Sequence, residues 1–358
     1  MNVHYSNHRH HVLGFSIIEL MVAVAVGMLV IAGIIGLFAT NKRVYTNTQN
    51  TTELQENGRF ALQYLLKDLR HAYFFGETFY SDLDTIACTP KNDDFTDSDR
   101  PNCNGADAVF NFNQDSNPPS APLRGVARPV SSGSGSVTAD ALGCIDNALA
   151  LPGIPSDILV IKSATPTPIS SINDLDLGSA YIASNSAKGS LCWLTADTPM
   201  IEIGTCTGYN CVSEGTYWPY YFAAYYIRSP DHDDDPPVLA RKLYEWDAAK
   251  GMGLVTQDLV TGVEAMRILY GVSSSNDALP TFGAADTVTD WEDVKALKIY
   301  LLLRTTQSDF SYTDDKTYTM GDIDVTATQG SHFHRAVLST TVMLHNKQII
   351  DAARESDQ

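Results

Sequence analysis

No proline interrupts the chain between Phe15 and Tyr73, so nothing there removes a helical backbone donor or forces a kink. No charged residue follows Glu19 before Lys42. Basic residues are scarce as well: 24 Lys and Arg stand against 42 Asp and Glu, a formal charge of −18. That balance disfavours nucleic acid or anionic lipid as a partner of the whole surface, leaving only a local basic patch for such a role. Cysteine is absent until Cys88, and no two cysteines have the close Cys-x-x-Cys spacing of a zinc site. Nucleophile elbows, phosphate loops, dinucleotide fingerprints, His-Glu-x-x-His motifs and internal repeats are missing too. Motif-borne catalysis is excluded by these absences, and no residue is assigned a catalytic or cofactor-binding role.

What is present begins with Gly14-Phe15-Ser16-Ile17-Ile18-Glu19-Leu20, the opening of an apolar run that continues to Ala39. The twenty residues Leu20–Ala39 make about 30 Å of helix, enough to cross a bilayer. One acid at the mouth of such a span costs several kcal/mol unless it finds a partner, so Glu19 is a functional candidate. Met1–Gly14 is polar, with Arg9 and a cluster of His4, His8, His10 and His11, and reads as an export leader. The small-x-small triplet Ala23-Val24-Ala25 lies inside the apolar run rather than beyond it, whereas Gly14 lies before it. A cut between Gly14 and Phe15 would retain the helix and create a free amine, the cation that Glu19 lacks. An uncleaved signal anchor with a chance glutamate is the alternative. Gly27, Gly33 and Gly36 inside the span favour close helix packing; local melting at Gly33 and Gly36 on entry into a filament is a second reading.

Beyond a polar stretch, Asn41–Thr52, apolar residues recur at helical spacing: Leu54, Ala61, Leu62, Leu65, Leu66, Leu69 and Ala72 share one arc. Glu53, Glu56, Arg59, Gln63, Lys67 and Arg70 fill the other side. One helix of about 85–90 Å is therefore expected, half membrane anchor and half the spine of a globular domain. The glycine, the acid five residues on and the apolar run resemble the class III leader of type IV prepilins and pseudopilins. Gln55-Glu56-Asn57-Gly58-Arg59-Phe60-Ala61-Leu62, Asp68-Leu69-Arg70 and Ala72-Tyr73 are similar to the PilW-type minor pilins, with J-type pseudopilins of type II secretion as close relatives. Leu259–Arg267 with Tyr270-Gly271, Val294–Ile299 with Leu302-Leu303-Arg304, and Arg335–Asn346 extend that resemblance. It covers both ends of the chain and leaves the middle, roughly Ser81–Val238, without family wording.

Six cysteines, Cys88, Cys103, Cys144, Cys192, Cys206 and Cys211, all follow the membrane helix. In an exported domain they read as disulfides, with fifteen connectivities open. Cys88–Cys103 and Cys206–Cys211 are attractive local pairs across polar stretches, which would leave Cys144–Cys192. Strands are expected at Ile158–Ile161, Tyr217–Ile227, Val238–Tyr244, Met266–Tyr270, Leu297–Leu303 and Ala336–Leu344, with Leu297, Ile299, Leu301 and Leu303 sharing one face. The expected fold is α+β, a pilin fold in which the long helix packs on an antiparallel sheet carrying a disulfide-containing insertion. The expected divisions are a leader at 1–14, an anchor helix at 15–40, its amphipathic half at 41–80, a disulfide-rich insertion at 81–230 and a β-rich remainder at 231–358. Asn117–Asp140, rich in Pro, Ser and Gly, reads as a loop.

Acidic runs at Asp231–Asp235 and Asn92–Asp99 supply oxygen ligands but lack calcium-loop spacing, so solvated turns are the expectation and no metal is assigned. His332 and His334 are expected on one strand face with no paired carboxylate, as surface or packing histidines. The resemblance implies cleavage after Gly14 by a membrane prepilin peptidase, N-methylation of Phe15, and pairing of Glu19 with the Phe15 amine of a neighbouring subunit. It also implies residues 15–40 in the inner membrane with a periplasmic domain, and other minor pilins, the major pilin and the assembly platform as partners. The role it implies is priming of filament assembly and a place at the pilus tip. Alternatives are a type II secretion pseudopilin and a tip adhesin or DNA-uptake subunit built on the aromatic-rich Tyr217–Tyr226; an anchored enzyme is the most distant.

Overall fold

The computed structural model describes residues 16–79, 83–88, 121–127, 144–145, 154, 156–171, 174–176, 179–185, 188–193, 215–228, 235–247, 251–273 and 278–356. Helix α1 runs unbroken over Ile17–His71. Two compact units, Met1–Thr52 and Glu53–Gln358, part within it. In the first unit the apolar residues from Ile17 to Phe38 are exposed. Val44–Thr52 follows as Val-Tyr-Thr-Asn-Thr-Gln-Asn-Thr-Thr, in which only Gln49 is a strong helix former. The other eight cost about 4 kcal/mol together relative to alanine.

The second unit holds fourteen described strands. They are β1 (Leu83–Cys88), β2 (Leu123–Val126), β3 (Ile158–Ala164), β4 (Ala180–Asn185), β5 (Lys188–Trp193), β6 (Thr216–Arg228), β7 (Val238–Asp247), β8 (Gly251–Thr261), β9 (Val263–Val272), β10 (Thr281–Gly283), β11 (Val294–Arg304), β12 (Thr317–Met320), β13 (Ile323–Thr326) and β14 (Arg335–Met343). A larger sheet takes the order β1-β5-β4-β6-β3-β2, with β7 joining β6 and β8 joining β7. It is antiparallel except where β1 runs parallel to β5. β6 is long enough to be shared: β3 pairs along one side, while β4 takes its first residues and β7 its last. A second, antiparallel sheet has the order β10-β9-β11-β14, and β12–β13 form a separate hairpin.

The second half of α1 lies on the four-stranded sheet. Its buried residues are Leu54, Gly58, Ala61, Leu65, Asp68 and Leu69: four from the expected arc with a glycine and an acid added, while Leu62 and Leu66 are partly buried against the core. A Cβ placed on Gly58 would sit 2.6 Å from Leu338 Cδ2 and 3.1 Å from Leu303 Cδ1, so the missing side chain sets how closely helix and sheet approach. Leu297, Ile299, Leu301 and Leu303 are all fully buried, and one core joins the helix to both sheets. The chain crosses from the larger sheet to the smaller at Gly262, between β8 and β9. Its φ is +82°, and a Cβ there would meet the Arg304 carbonyl oxygen at 2.7 Å. Asn57 of α1 donates to Thr261 O at 3.2 Å beside this corner.

A second helix, α2 (His345–Ser356), follows β14 directly. It was not expected: the strand-like alternation of Ala336–Leu344 runs into it with no glycine or proline between. Asn346 Nδ2 donates to Arg70 O (3.1 Å) and Ala72 O (3.0 Å), covering carbonyls that the end of α1 leaves unpaired. Tyr73 then takes φ +66°, an unusual turn for a side chain of its size. It is held there by burial and by donation from its hydroxyl to Trp291 O at 3.1 Å. Replacing Gly262 by alanine is expected to lower the stability of this unit by about 1–3 kcal/mol, from the positive φ and the carbonyl contact together; an unchanged denaturation midpoint would contradict this account of the corner.

Candidate functional site

Glu19 lies in the first turn of α1, one turn after the start of the described chain, where Leu20 N donates to Ser16 O at 3.0 Å. The side chain is exposed, as are its neighbours Ile17, Ile18, Leu20 and Met21. An acid is electrostatically favoured at a helix N-terminus, where unpaired amides carry partial positive charge. It is nonetheless the only charge on the helix before Lys42. The apolar segment is long and apolar enough to cross a membrane, and its most apolar stretch is exposed. At Gly27, Gly33 and Gly36 an added Cβ would meet nothing within 4 Å, so each marks open helix surface. Gly14 and Phe15 lie outside the described residues. The arrangement presents a large apolar surface and one carboxylate.

Several polar residues described in the second unit are taken up in pairing. Asp68, on the buried face of α1, accepts hydrogen bonds from the Tyr221 and Tyr225 hydroxyls of β6, and Arg241 Nη1 of β7 approaches its Oδ2 at 3.3 Å. Arg241 also donates to Tyr221 Oη at 3.0 Å and to Gln257 Oε1 of β8 at 3.1 Å, and Gln257 donates to Glu245 at 2.8 Å. Burial, with the Asp68 carboxylate adding to it, keeps both phenols protonated well above their usual range. This network ties the helix to the larger sheet.

Two further groups tie strands to loops. Arg335 opens β14 between Glu264 (Nη2–Oε1 3.0 Å) and Asp314 (Nη1–Oδ2 2.9 Å). Burial works against the Asp314 charge, but hydrogen bonds from Arg335, Tyr318 and Tyr312 outweigh it and hold the carboxyl below its ordinary range. Arg267 of β9 reaches Asp322 at 2.7 Å and Asp157 at 3.3 Å, and its hydrogen bond to Asp322 depresses that carboxyl as well. Lys295 and Lys347 share Asp351 of α2; burial lowers the Lys347 ammonium despite that partner. Glu264, Arg267, Lys295 and Arg335 were singled out in the sequence by family wording, and the structure places each in a buried or half-buried ion pair. Asp68 had no such reading beyond the wording itself: a single acid on an apolar arc gives no sign of which strand will neutralise it.

His332 and His334 precede β14 rather than lying on it, because Thr305 N bonds His334 O at 2.9 Å and Asp309 N bonds His332 O at 2.7 Å in a loop. The expectation of no paired carboxylate is also corrected. His334 Nε2 lies 3.2 Å from Asp309 Oδ2, and its ring stacks on Tyr312 at 4.0 Å. The carboxylate comes from 25 residues away, beyond the reach of local spacing. Cys144 is buried and disulfide-bonded. Cys88 and Cys192 stand opposite one another in the backbone register of the parallel pair β1–β5. Cys103, Cys206 and Cys211, and the acidic runs at 92–99 and 231–234, lie outside the described residues.

Residues 9–35 match the family model described as the prokaryotic N-terminal methylation motif, and residues 224–346 match that of type IV pilus-assembly protein W. The second match takes in β7, β8, β9, β11 and β14, and with them Arg241, Glu264, Arg267 and Arg335. No curated protein matches the chain, and no solved structure does. For Asp68→Ala the expected loss is about 3–5 kcal/mol, because Arg241 is left half-buried without its counter-charge. Pairing it with Arg241→Met should recover part of that loss; equal destabilisation by the single and double variants would show that the charge is not what matters.

Proposed function

We infer that this chain, a PilW-type type IV pilin by its leader and its C-terminal segment, is a minor pilin whose anchor helix inserts into a helical bundle and whose globular unit helps to prime the filament and caps its tip. The observation that carries this reading is Glu19. It is the lone charge on an apolar helix that the rest of the protein leaves bare, five residues past the glycine of a methylation-motif match. Cleavage between Gly14 and Phe15 supplies an N-terminal amine, methylated by the peptidase, within a few residues of the acid on the same helix end. Within one straight helix the two cannot meet well; between adjacent, axially offset helices they can. In low dielectric the pairing is favoured by several kcal/mol over an unpaired acid, and it fixes the axial offset between neighbours.

The helix laid across a four-stranded antiparallel sheet supports a pilin fold for the second unit. The larger sheet is extra bulk that would crowd a shaft built of many copies, which favours a place at the end of a filament. The middle of the chain is proposed to be a disulfide-bearing elaboration of that fold, and the partners are other minor pilins, the major pilin and an inner-membrane assembly platform. The family matches are to structural pilus components, which accords with a non-enzymatic role.

Deleting the gene is expected to remove surface pili while leaving exoprotein export intact; lost export with normal piliation would instead assign the chain to type II secretion. Gly14→Val should give an unshortened protein on a gel. Glu19→Ala should be cleaved normally yet fail to co-purify with partner pilins from membranes, and undiminished co-purification would refute the pairing.

A further inference from the structure

We propose that Val44–Thr52 is a built-in joint of α1, helical at rest but held weakly enough to open and bend between the anchor and the globular unit. Four threonines in this stretch turn their hydroxyls back on the helix: Thr46 donates to Lys42 O (3.0 Å), Thr48 to Val44 O (2.9 Å), Thr51 to Asn47 O (2.9 Å) and Thr52 to Thr48 O (2.9 Å). Each such bond gives a carbonyl a second donor, which weakens its main-chain hydrogen bond and tilts it outward, the usual origin of helix bends at Ser and Thr. The same hydroxyls provide substitute partners for carbonyls when the main-chain bonds open, so opening is less costly than in an apolar helix.

Three other observations converge on the same residues. Their intrinsic preference for helix is poor, since β-branched residues and asparagine fill eight of the nine positions with tyrosine. Within their own unit no packing compensates: all are exposed except Thr46 and Asn50, which are partly covered. The division between the two compact units falls at Thr52 and Glu53, at the end of the stretch. From Leu54 onward the helix is nailed down by core packing, by Asn57 and by the bonds from Thr306 N (2.9 Å) and Oγ1 (2.8 Å) to Glu53. On the other side Leu20–Ala39 is rich in helix-forming apolar residues whose backbone lipid would force to stay paired. The joint does not depend on the assignment of the chain to a pilus. It concerns only how one helix passes from one environment to another.

The test is hydrogen exchange, read by mass spectrometry, on the full chain in detergent micelles. Amides of residues 44–52 are expected to exchange at least about tenfold faster than those of residues 54–70, which are anchored by tertiary structure. The decisive arm is the variant carrying Thr46→Ala, Thr48→Ala, Thr51→Ala and Thr52→Ala, which should slow exchange over the same residues by about tenfold or more. Thr40→Ala, which removes a similar hydroxyl bond to Gly36 O outside the stretch, should leave residues 44–52 unchanged. An unchanged denaturation midpoint shows that the globular unit of each variant is folded. Protection of residues 44–52 equal to that of residues 54–70, or a quadruple variant exchanging at the wild-type rate, would overturn the joint.

Discussion

One helix carries apolar surface in both its halves, but only in the second half is that surface buried within the molecule. Along its second half the apolar face of α1 meets a β-sheet, so Leu54, Ala61, Leu65 and Leu69 leave water by packing within the molecule. Along its first half the same kind of side chain is left uncovered, from Ile17 to Phe38. Exposed apolar surface on this scale is unfavourable in water by roughly 25 cal/mol per Å². The apolar first half is thus consistent with a membrane anchor, whereas the globular unit buries its own apolar face.

The globular unit does so in spite of its acidity. Its buried carboxylates are matched to arginines and lysines that come from distant strands: Asp68 with Arg241, Glu264 and Asp314 with Arg335, Asp157 and Asp322 with Arg267, Asp351 with Lys295 and Lys347. Among the described residues, Arg241, Arg267, Arg335, Lys295 and Lys347 are committed in this way to holding helix, sheet or loop in place. Such pairs add little net stability over apolar packing, but a wrong register would strand a charge in the core, so they discriminate against alternative arrangements. Polar residues that family wording brings to attention therefore belong to the architecture of the domain.

The helix, its buried arc and the cores of six strands were readable from local pattern, since hydrophobic periodicity is a property of neighbouring residues. Less regular pieces were not. The strands β4 and β5 are short and alternate poorly, as in Ala-Tyr-Ile-Ala-Ser-Asn; β4 is a strand because β6 supplies it an edge, and β5 because β4 does. α2 continues a strand-like run and becomes helical where Asn346 and Lys347 find the end of α1. The His334–Asp309 pair and the Asp68 network join residues 25 and more than 150 positions apart, and no spacing rule links them.

Composition and order along the chain by themselves determined that there is a long apolar helical segment, that one acid stands near its start, and that an amphipathic helix follows. These properties arise from covalent neighbours and from transfer between water and oil, which act on any chain with this pattern. Only the tertiary structure decided that two sheets share the helix, that the chain turns between them at Gly262, and which basic residue answers each buried acid. Those outcomes depend on long-range closure, in which the geometry of one pairing limits what every other residue is able to reach.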